Sequence, residues 1–156
     1  MKKTNAMRIL DQSGVAYQIH EFQTDCALSG VEVARLLGEE EASVFKTLVT
    51  VGKSKAHYVF MIPVAEELDL KKAAACVKEK NIEMVKSKEL LGLTGYIHGG
   101  CSPVGMKKTF PITIDSSADK LEHIFFSGGK IGMQVELDWK EVEKVFSYQL
   151  AEICVK

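Results

Sequence analysis

The sequence predicts an α+β fold, with a mixed and mostly antiparallel sheet surrounded by helices. Three observations carry that expectation. Segments with helical and with strand-like periodicity alternate irregularly along the chain. Two β-rich runs flank Gly52-Lys53-Ser54-Lys55, which reads as a hairpin connection. Neither a G-x-G-x-x-G fingerprint nor a Walker loop is present, so a doubly wound nucleotide-binding sheet is not expected.

The elements follow in order. Thr4 to Ser13 reads as a helix: Thr4 caps it, Ala6, Met7, Ile9 and Leu10 form an apolar stripe, and Gly14 ends it. Val15, Tyr17 and Ile19 alternate with polar neighbours, the period of a strand. Ser29-Gly30-Val31-Glu32 fits a capping box ahead of Val33, Leu36 and Leu37, with Gly38 as the stop. Val44 to Val51 and His57 to Pro63 are the two arms of the hairpin. Asp69 to Glu79 is predicted as a helix with Leu70, Ala73, Ala74 and Val77 inward, and Ser87 to Leu91 as a short one. Eight of the 12 glycines then fall between residues 92 and 132, which marks a change to loops around the β-rich runs Phe110 to Ile114 and His123 to Ser127. Asp138 to Phe146 is predicted as a last helix capped by Asp138.

Composition bounds the function. With 156 residues, 46% apolar and 26% charged, a single domain over residues 1–156 with one core is expected. A net charge of −1 argues against a generic nucleic-acid coat protein and leaves room for a local basic patch. No run approaches the ~20 apolar residues of a membrane span. Met1 to Ala6 is basic without an apolar signal region, so a cytoplasmic location and no membrane partner are expected. Cys26, Cys76, Cys101 and Cys154 form no C-x-x-C pair and read as free thiols. They share no ligand spacing with His20, His57, His98 and His123, so no metal or other cofactor is expected.

The segment richest in chemical possibility is Gly99-Gly100-Cys101-Ser102-Pro103-Val104-Gly105, entered through Thr94-Gly95-Tyr96-Ile97-His98. So many glycines let backbone N–H groups approach a ligand closely, and several N–H groups converging on one point hold an anion or oxyanion. Lys46 is the odd residue of its strand: Val44, Lys46 and Leu48 share one face, Phe45, Thr47 and Val49 the other. It is either an edge lysine with a packed stem or a cation at a cavity floor. Ser127-Gly128-Gly129-Lys130 is either a hairpin turn or the opposite wall of the same cavity. Ser102 lacks the G-x-S-x-G elbow of a nucleophile, and Cys101 has no local base. Lys71-Lys72, Lys107-Lys108 and Lys130 read as solvated faces, or as a ring for a polyanion if one pocket mouth gathers them.

Taken together, these motifs resemble a known family over nearly the whole chain. Tyr17-Gln18-Ile19-His20, Val44-Phe45-Lys46-Thr47-Leu48, Pro63-Val64-Ala65, Leu68-Asp69-Leu70-Lys71-Lys72, Thr94-Gly95-Tyr96, Gly99 to Gly105, Ile114-Asp115 and Ser127-Gly128-Gly129-Lys130 occur in the order and spacing of the free-standing aminoacyl-tRNA deacylases of the YbaK/EbsC type. That family is related to the editing domain inserted in bacterial prolyl-tRNA synthetases. The likeness is strongest to bacterial deacylases that remove cysteine from mischarged tRNA(Pro). It implies a mixed sheet closed into a barrel-like cavity and release of an amino acid from the tRNA 3′ end. It places Lys46, Gly99, Gly100 and Ser102 at the catalytic centre, and His20, Phe22, Gly105, Ser127, Gly128, Gly129 and Gln134 against the substrate. Phe22 stands where the cysteine-specific proteins carry tyrosine, and Gln134 where they carry aspartate.

The expected partner is the acceptor end of an aminoacyl-tRNA, with prolyl-tRNA synthetase as a source of tRNA identity. A monomer or weak homodimer is expected. An aminoacyl ester is already activated, so positioning and oxyanion stabilisation supply much of the rate. The expected mechanism has Lys46 on the terminal phosphate, loop N–H groups on the ester carbonyl, and the substrate's own thiol as nucleophile. Two alternatives stay open: a deacylase for another small amino acid such as alanine, and a non-catalytic module that binds the tRNA end.

Overall fold

The structure, a computed structural model, describes residues 3–23 and 28–156. Cys26, one of the four predicted free thiols, lies outside the described residues. The first half of the chain follows its local signals. Helix α1 (Asn5–Gln12) is capped by Thr4, whose hydroxyl accepts from the Met7 N–H, and buries Ala6, Met7 and Leu10. Strand β1 (Tyr17–Glu21) follows. Helix α2 (Gly30–Leu37) carries the full Ser29–Glu32 capping box and ends at Gly38, whose φ of +69° only glycine adopts readily. Strands β2 (Phe45–Gly52) and β3 (His57–Pro63) form the expected hairpin, paired from Phe45–Pro63 to Val51–His57.

Other elements differ from expectation. Helix α3 (Leu70–Cys76) stops three residues early: its C-cap Val77 has left helical geometry and Lys78 adopts φ +61°. Asp69 caps it by accepting from the Lys71 and Lys72 N–H groups, while Leu70, in the first turn, is exposed rather than inward. Strand β4 (Ile82–Met84) precedes helix α4 (Ser87–Thr94), which runs three residues past its predicted end to a left-handed Gly95. Strands β5 (Ile112–Asp115) and β6 (His123–Ser127) match the β-rich runs. Strand β7 (Met133–Asp138) was not expected, nor was β8 (Gln149–Ala151). The predicted last helix is instead a 3-10 helix over Trp139–Lys144, and Asp138 makes no side-chain cap. Trp139, Val142 and Val145 recur every three residues, the period of a 3-10 turn rather than an α-helix.

Two sheets result, in the strand orders β1-β7-β6 and β4-β2-β3-β5-β8. All pairings are antiparallel except β3 with β5 and β5 with β8. The sheets meet at one bridge, Val44 to Phe125, so the barrel-like arrangement is not a continuous closed ladder. The main core lies between the sheets and includes Phe45, Val49, Met61, Ile114, Phe126 and Val135. The opposite face of the larger sheet packs Phe60, Ile62 and Ile153 against α3. Each such fully buried side chain stabilises the fold by roughly 1.5–3 kcal/mol relative to exposure. Among the described residues no helix is long and apolar enough to cross a membrane.

Candidate active site

A cavity of about 380 Å³ opens where the two sheets diverge. Its position follows from strand pairing. β4 pairs with β2 only over Thr50–Gly52, and β6 bridges to the larger sheet only at Val44, just ahead of β2. The first half of β2 therefore has a free edge. Five consecutive residues, Phe45 to Val49, border the cavity. A strand face presents only alternate residues, so the cavity meets β2 edge-on. Two bonds fix which main-chain groups it sees. The Val44 carbonyl accepts from the Val64 N–H on the β3 side, and the Val49 carbonyl accepts from the Val85 N–H on the other. Thr47 shares the parity of Val49 and turns its backbone groups to the free edge.

Lys46 borders this cavity, half-buried, opposite Ile62 of β3. It forms no ion pair or hydrogen bond with a described residue.

The glycine loop forms a second wall through His98, Gly99 and Cys101. Sterics explain its composition. A Cβ on Gly100 would lie 2.9 Å from the backbone of Lys130 and Ile131, so the loop lies flat against the turn between β6 and β7. The start of α1 clasps both segments: Thr4 donates to the Gly128 carbonyl, and Asn5 donates to the Gly105 carbonyl, each at 2.6 Å. Within the loop, the Gly100 N–H donates to the Ile97 carbonyl, and the Val104 N–H donates to Ser102 Oγ. Pro103 has no N–H. The loop residues bordering the cavity, His98, Gly99 and Cys101, have N–H groups that donate to no described residue.

The third wall comes from the smaller sheet. Ser127 pairs with Gln134, and Gln134 pairs with His20, so three residues from distant segments form one cross-strand row. Ser127 and Gln134 border the cavity, as does Phe22, whose N–H donates to the Gly132 carbonyl. Gly132, at φ +87°, is required there because a Cβ would fall 2.8 Å from the Phe22 carbonyl oxygen. His20 sits one step behind the wall, with Nε2 at 2.8 Å from Glu136 Oε1.

The sequence-predicted residues thus divide. Lys46, Gly99, Phe22, Ser127 and Gln134 converge on the cavity. Gly100, Ser102, Gly105, Gly128 and Gly129 do not border it; they hold the loop and turn in place. Ser102 is fully buried. Gly129 backs onto Thr4 and Tyr96. Burial pushes the Cys101 thiol up to about 11, with a weaker opposing bond to Thr94, so it is overwhelmingly protonated at neutral pH. None of Lys71, Lys72, Lys107, Lys108 and Lys130 borders the cavity, and Lys72 is turned to Glu152 and the Cys154 carbonyl. No lysine ring surrounds the mouth. Sequence reasoning missed the start of α2, where Ser29 and Gly30 border the cavity, and the exposed imidazole of His98.

The profile of the aminoacyl-tRNA editing domain matches residues 26–145. The chain belongs to the aminoacyl-tRNA editing domain family. Within that family's reach, a protein of Enterococcus faecalis (strain ATCC 700802 / V583), provisionally named Cys-tRNA(Pro)/Cys-tRNA(Cys) deacylase EbsC, is 46% identical over 156 residues, covering 99% of this chain and 95% of that protein. Among solved structures, one described provisionally as a trans-editing enzyme for prolyl tRNA synthetase superposes with a TM-score of 0.86 at 24% identity, over all of both chains. A hypothetical protein superposes with a TM-score of 0.88 at 20% identity, covering 97% of this chain and 100% of that one. These structures share the editing-domain fold.

Proposed function

We propose that this chain is a trans-editing deacylase that releases cysteine from Cys-tRNA(Pro), with Cys-tRNA(Cys) as a second substrate. The observation that carries the reading is one cavity whose lining includes Lys46, without an ion pair among the described residues, on one side and Gly99 and Cys101 on the other. The relative from Enterococcus faecalis, named for both substrates, supports the same reading.

In this account Lys46 takes the terminal adenosine phosphate and orients the ester. The Gly99 and Cys101 N–H groups face the ester carbonyl oxygen, where they stabilise the charge that develops on attack. The substrate's thiol sulfur attacks the carbonyl carbon and loses its proton. The bond to the ribose oxygen breaks, and that oxygen takes up a proton. The products are cysteine thiolactone and free tRNA. No protein nucleophile is required. Ser102 is buried and holds Val104, and Cys101 is a protonated thiol.

The tRNA is identified through its acceptor end, with prolyl-tRNA synthetase as the partner that supplies tRNA(Pro) identity to a chain of net charge −1. The test is deacylation of Cys-tRNA(Pro) by wild type and Lys46→Ala. Loss of at least about 100-fold in kcat/KM, or ~2.7 kcal/mol of transition-state binding, is expected in a protein that still melts normally. A Lys46→Ala protein with wild-type activity overturns the assignment.

A further inference from the structure

The cavity's third wall contains an anomaly. Gln134 is 4% exposed, and its Oε1 has no hydrogen-bond partner. Glu39, just past the end of α2, likewise has a buried Oε1 with no partner. Buried oxygens are normally satisfied, so two orphans in one place call for a donor. The Gln134 amide lies near enough to the Glu39 carboxyl to act on it, as do His20 and Glu136. Gln134 alone of this group borders the cavity.

Resting on the deacylase reading, we propose that Glu39 is a positioning residue. It holds the Gln134 amide with Nε2 on its carboxylate, leaving Oε1 as a fixed acceptor for the α-ammonium of the aminoacyl group. An amide can donate through one end and accept through the other. With Nε2 engaged by Glu39, only the carbonyl end is left for a ligand, and a ligand ammonium satisfies it. The charge pattern agrees. Lys46 stands on β2 and suits the phosphate, while Glu39 and Glu136 lie behind the opposite wall and suit a cation. The aminoacyl end of a tRNA carries these two charges, a phosphate and an ammonium. Burial pushes the Glu39 carboxyl up, and Glu136 adds to this, against the bond to Gln134 and the charge of His20. A ligand ammonium would favour the ionised form further.

Binding of two stable amide analogues to the full chain tests this, measured by calorimetry. One is 3′-amino-3′-deoxyadenosine carrying a cysteinyl group. The other carries a 3-mercaptopropionyl group, which keeps the thiol and lacks the amine. Wild type is expected to prefer the amine-bearing analogue by about 10-fold or more, the scale of a hydrogen bond to a charged group. Glu39→Gln, whose neutral amide no longer fixes the orientation of Gln134, is expected to bring the ratio below about 3-fold. Gln134→Met removes it, and the double variant matches Gln134→Met, because Glu39 acts only through Gln134. Glu39→Asp restores part of the preference. Each variant is checked by its melting curve, and a general loss of structure weakens both analogues equally, leaving their ratio unchanged. Equal affinity of wild type for the two analogues, no binding of either, or a wild-type ratio in Glu39→Gln overturns the proposal. Turnover of Cys-tRNA(Pro) on the same preparation separates it from the deacylase reading. Turnover with equal affinities removes only the α-ammonium assignment. A retained ratio without turnover removes only the deacylase reading.

Discussion

Replacing Gly100 by alanine tests whether the two glycine segments form one wall. The added Cβ would lie 2.9 Å from Lys130 Cα, Lys130 C and Ile131 N. All three are backbone atoms, so no side chain can swing aside. The segments must part from 2.9 Å to the 3.4 Å at which ordinary contact begins, a shift of about 0.5 Å. Overpacking of this kind costs about 1–3 kcal/mol. For a chain of this size, about 2 kcal/mol lowers the melting temperature by roughly 4–8 °C. The cavity also moves. A misplacement of 1 Å costs catalysis about 100-fold, so half of that predicts a loss near tenfold. The control is Gly92→Ala. It lies within α4 and its Cβ meets nothing within 4 Å, so it stabilises by about 0.5–1 kcal/mol and leaves activity unchanged. The assays are thermal unfolding and deacylation of Cys-tRNA(Pro) by each variant. If Gly100→Ala melts and turns over like wild type, the loop and turn do not form a rigid wall.

Further outcomes follow from the same geometry. Cys101→Ala retains most of the deacylation rate, because its thiol, near 11, is no nucleophile; a burst of covalent acyl-enzyme in wild type, detected by mass spectrometry, contradicts this. Ser102→Ala leaves the buried Val104 N–H without its acceptor and costs about 1–3 kcal/mol of stability, read by denaturant unfolding, while the folded fraction stays active. For Asp115, burial pushes the carboxyl up, but bonds from Ser117 and the Ile153 N–H outweigh it, and its value lies below the usual one. A lowered folded-state value means that ionised Asp115 stabilises the fold above about pH 4 and that this contribution fades as pH falls through the folded-state value. Asp115→Asn should therefore flatten the acid limb of the stability profile, and an unchanged limb would show that other carboxylates carry it.

Local signals made most of the first half of the chain legible. Thr4 and Gly14, the Ser29–Glu32 box with Gly38, and the hairpin at Gly52 each encode their own geometry within a few residues. Strand β7 carries a strand period that its flanks disguise. Met133, Val135 and Leu137 alternate with Gln134, Glu136 and Asp138, yet the run sits between a glycine turn and a residue that looks like a helix cap. Strands β4 and β8 span three residues each, too few for a period to show. In the cavity, Lys46 stood out as a cation in an apolar strand, and Gly99 by its glycine-rich surroundings. The roles of Gly100 and Gly129 as packing residues arise from contacts with segments 30 and 125 residues away, which spacing does not reveal. The proximity of Glu39 and Gln134 is likewise tertiary, made by the end of α2 lying over the smaller sheet.

The claim most exposed to test is that the substrate's thiol, and no protein group, attacks the ester. Deacylation of Cys-tRNA(Pro) and of the same tRNA carrying S-methylcysteine, compared side by side with products identified by mass spectrometry, measures it. The account predicts release of cysteine thiolactone from the first and loss of most of the rate with the second. Equal rates, with free amino acid as the first product from both, would contradict it.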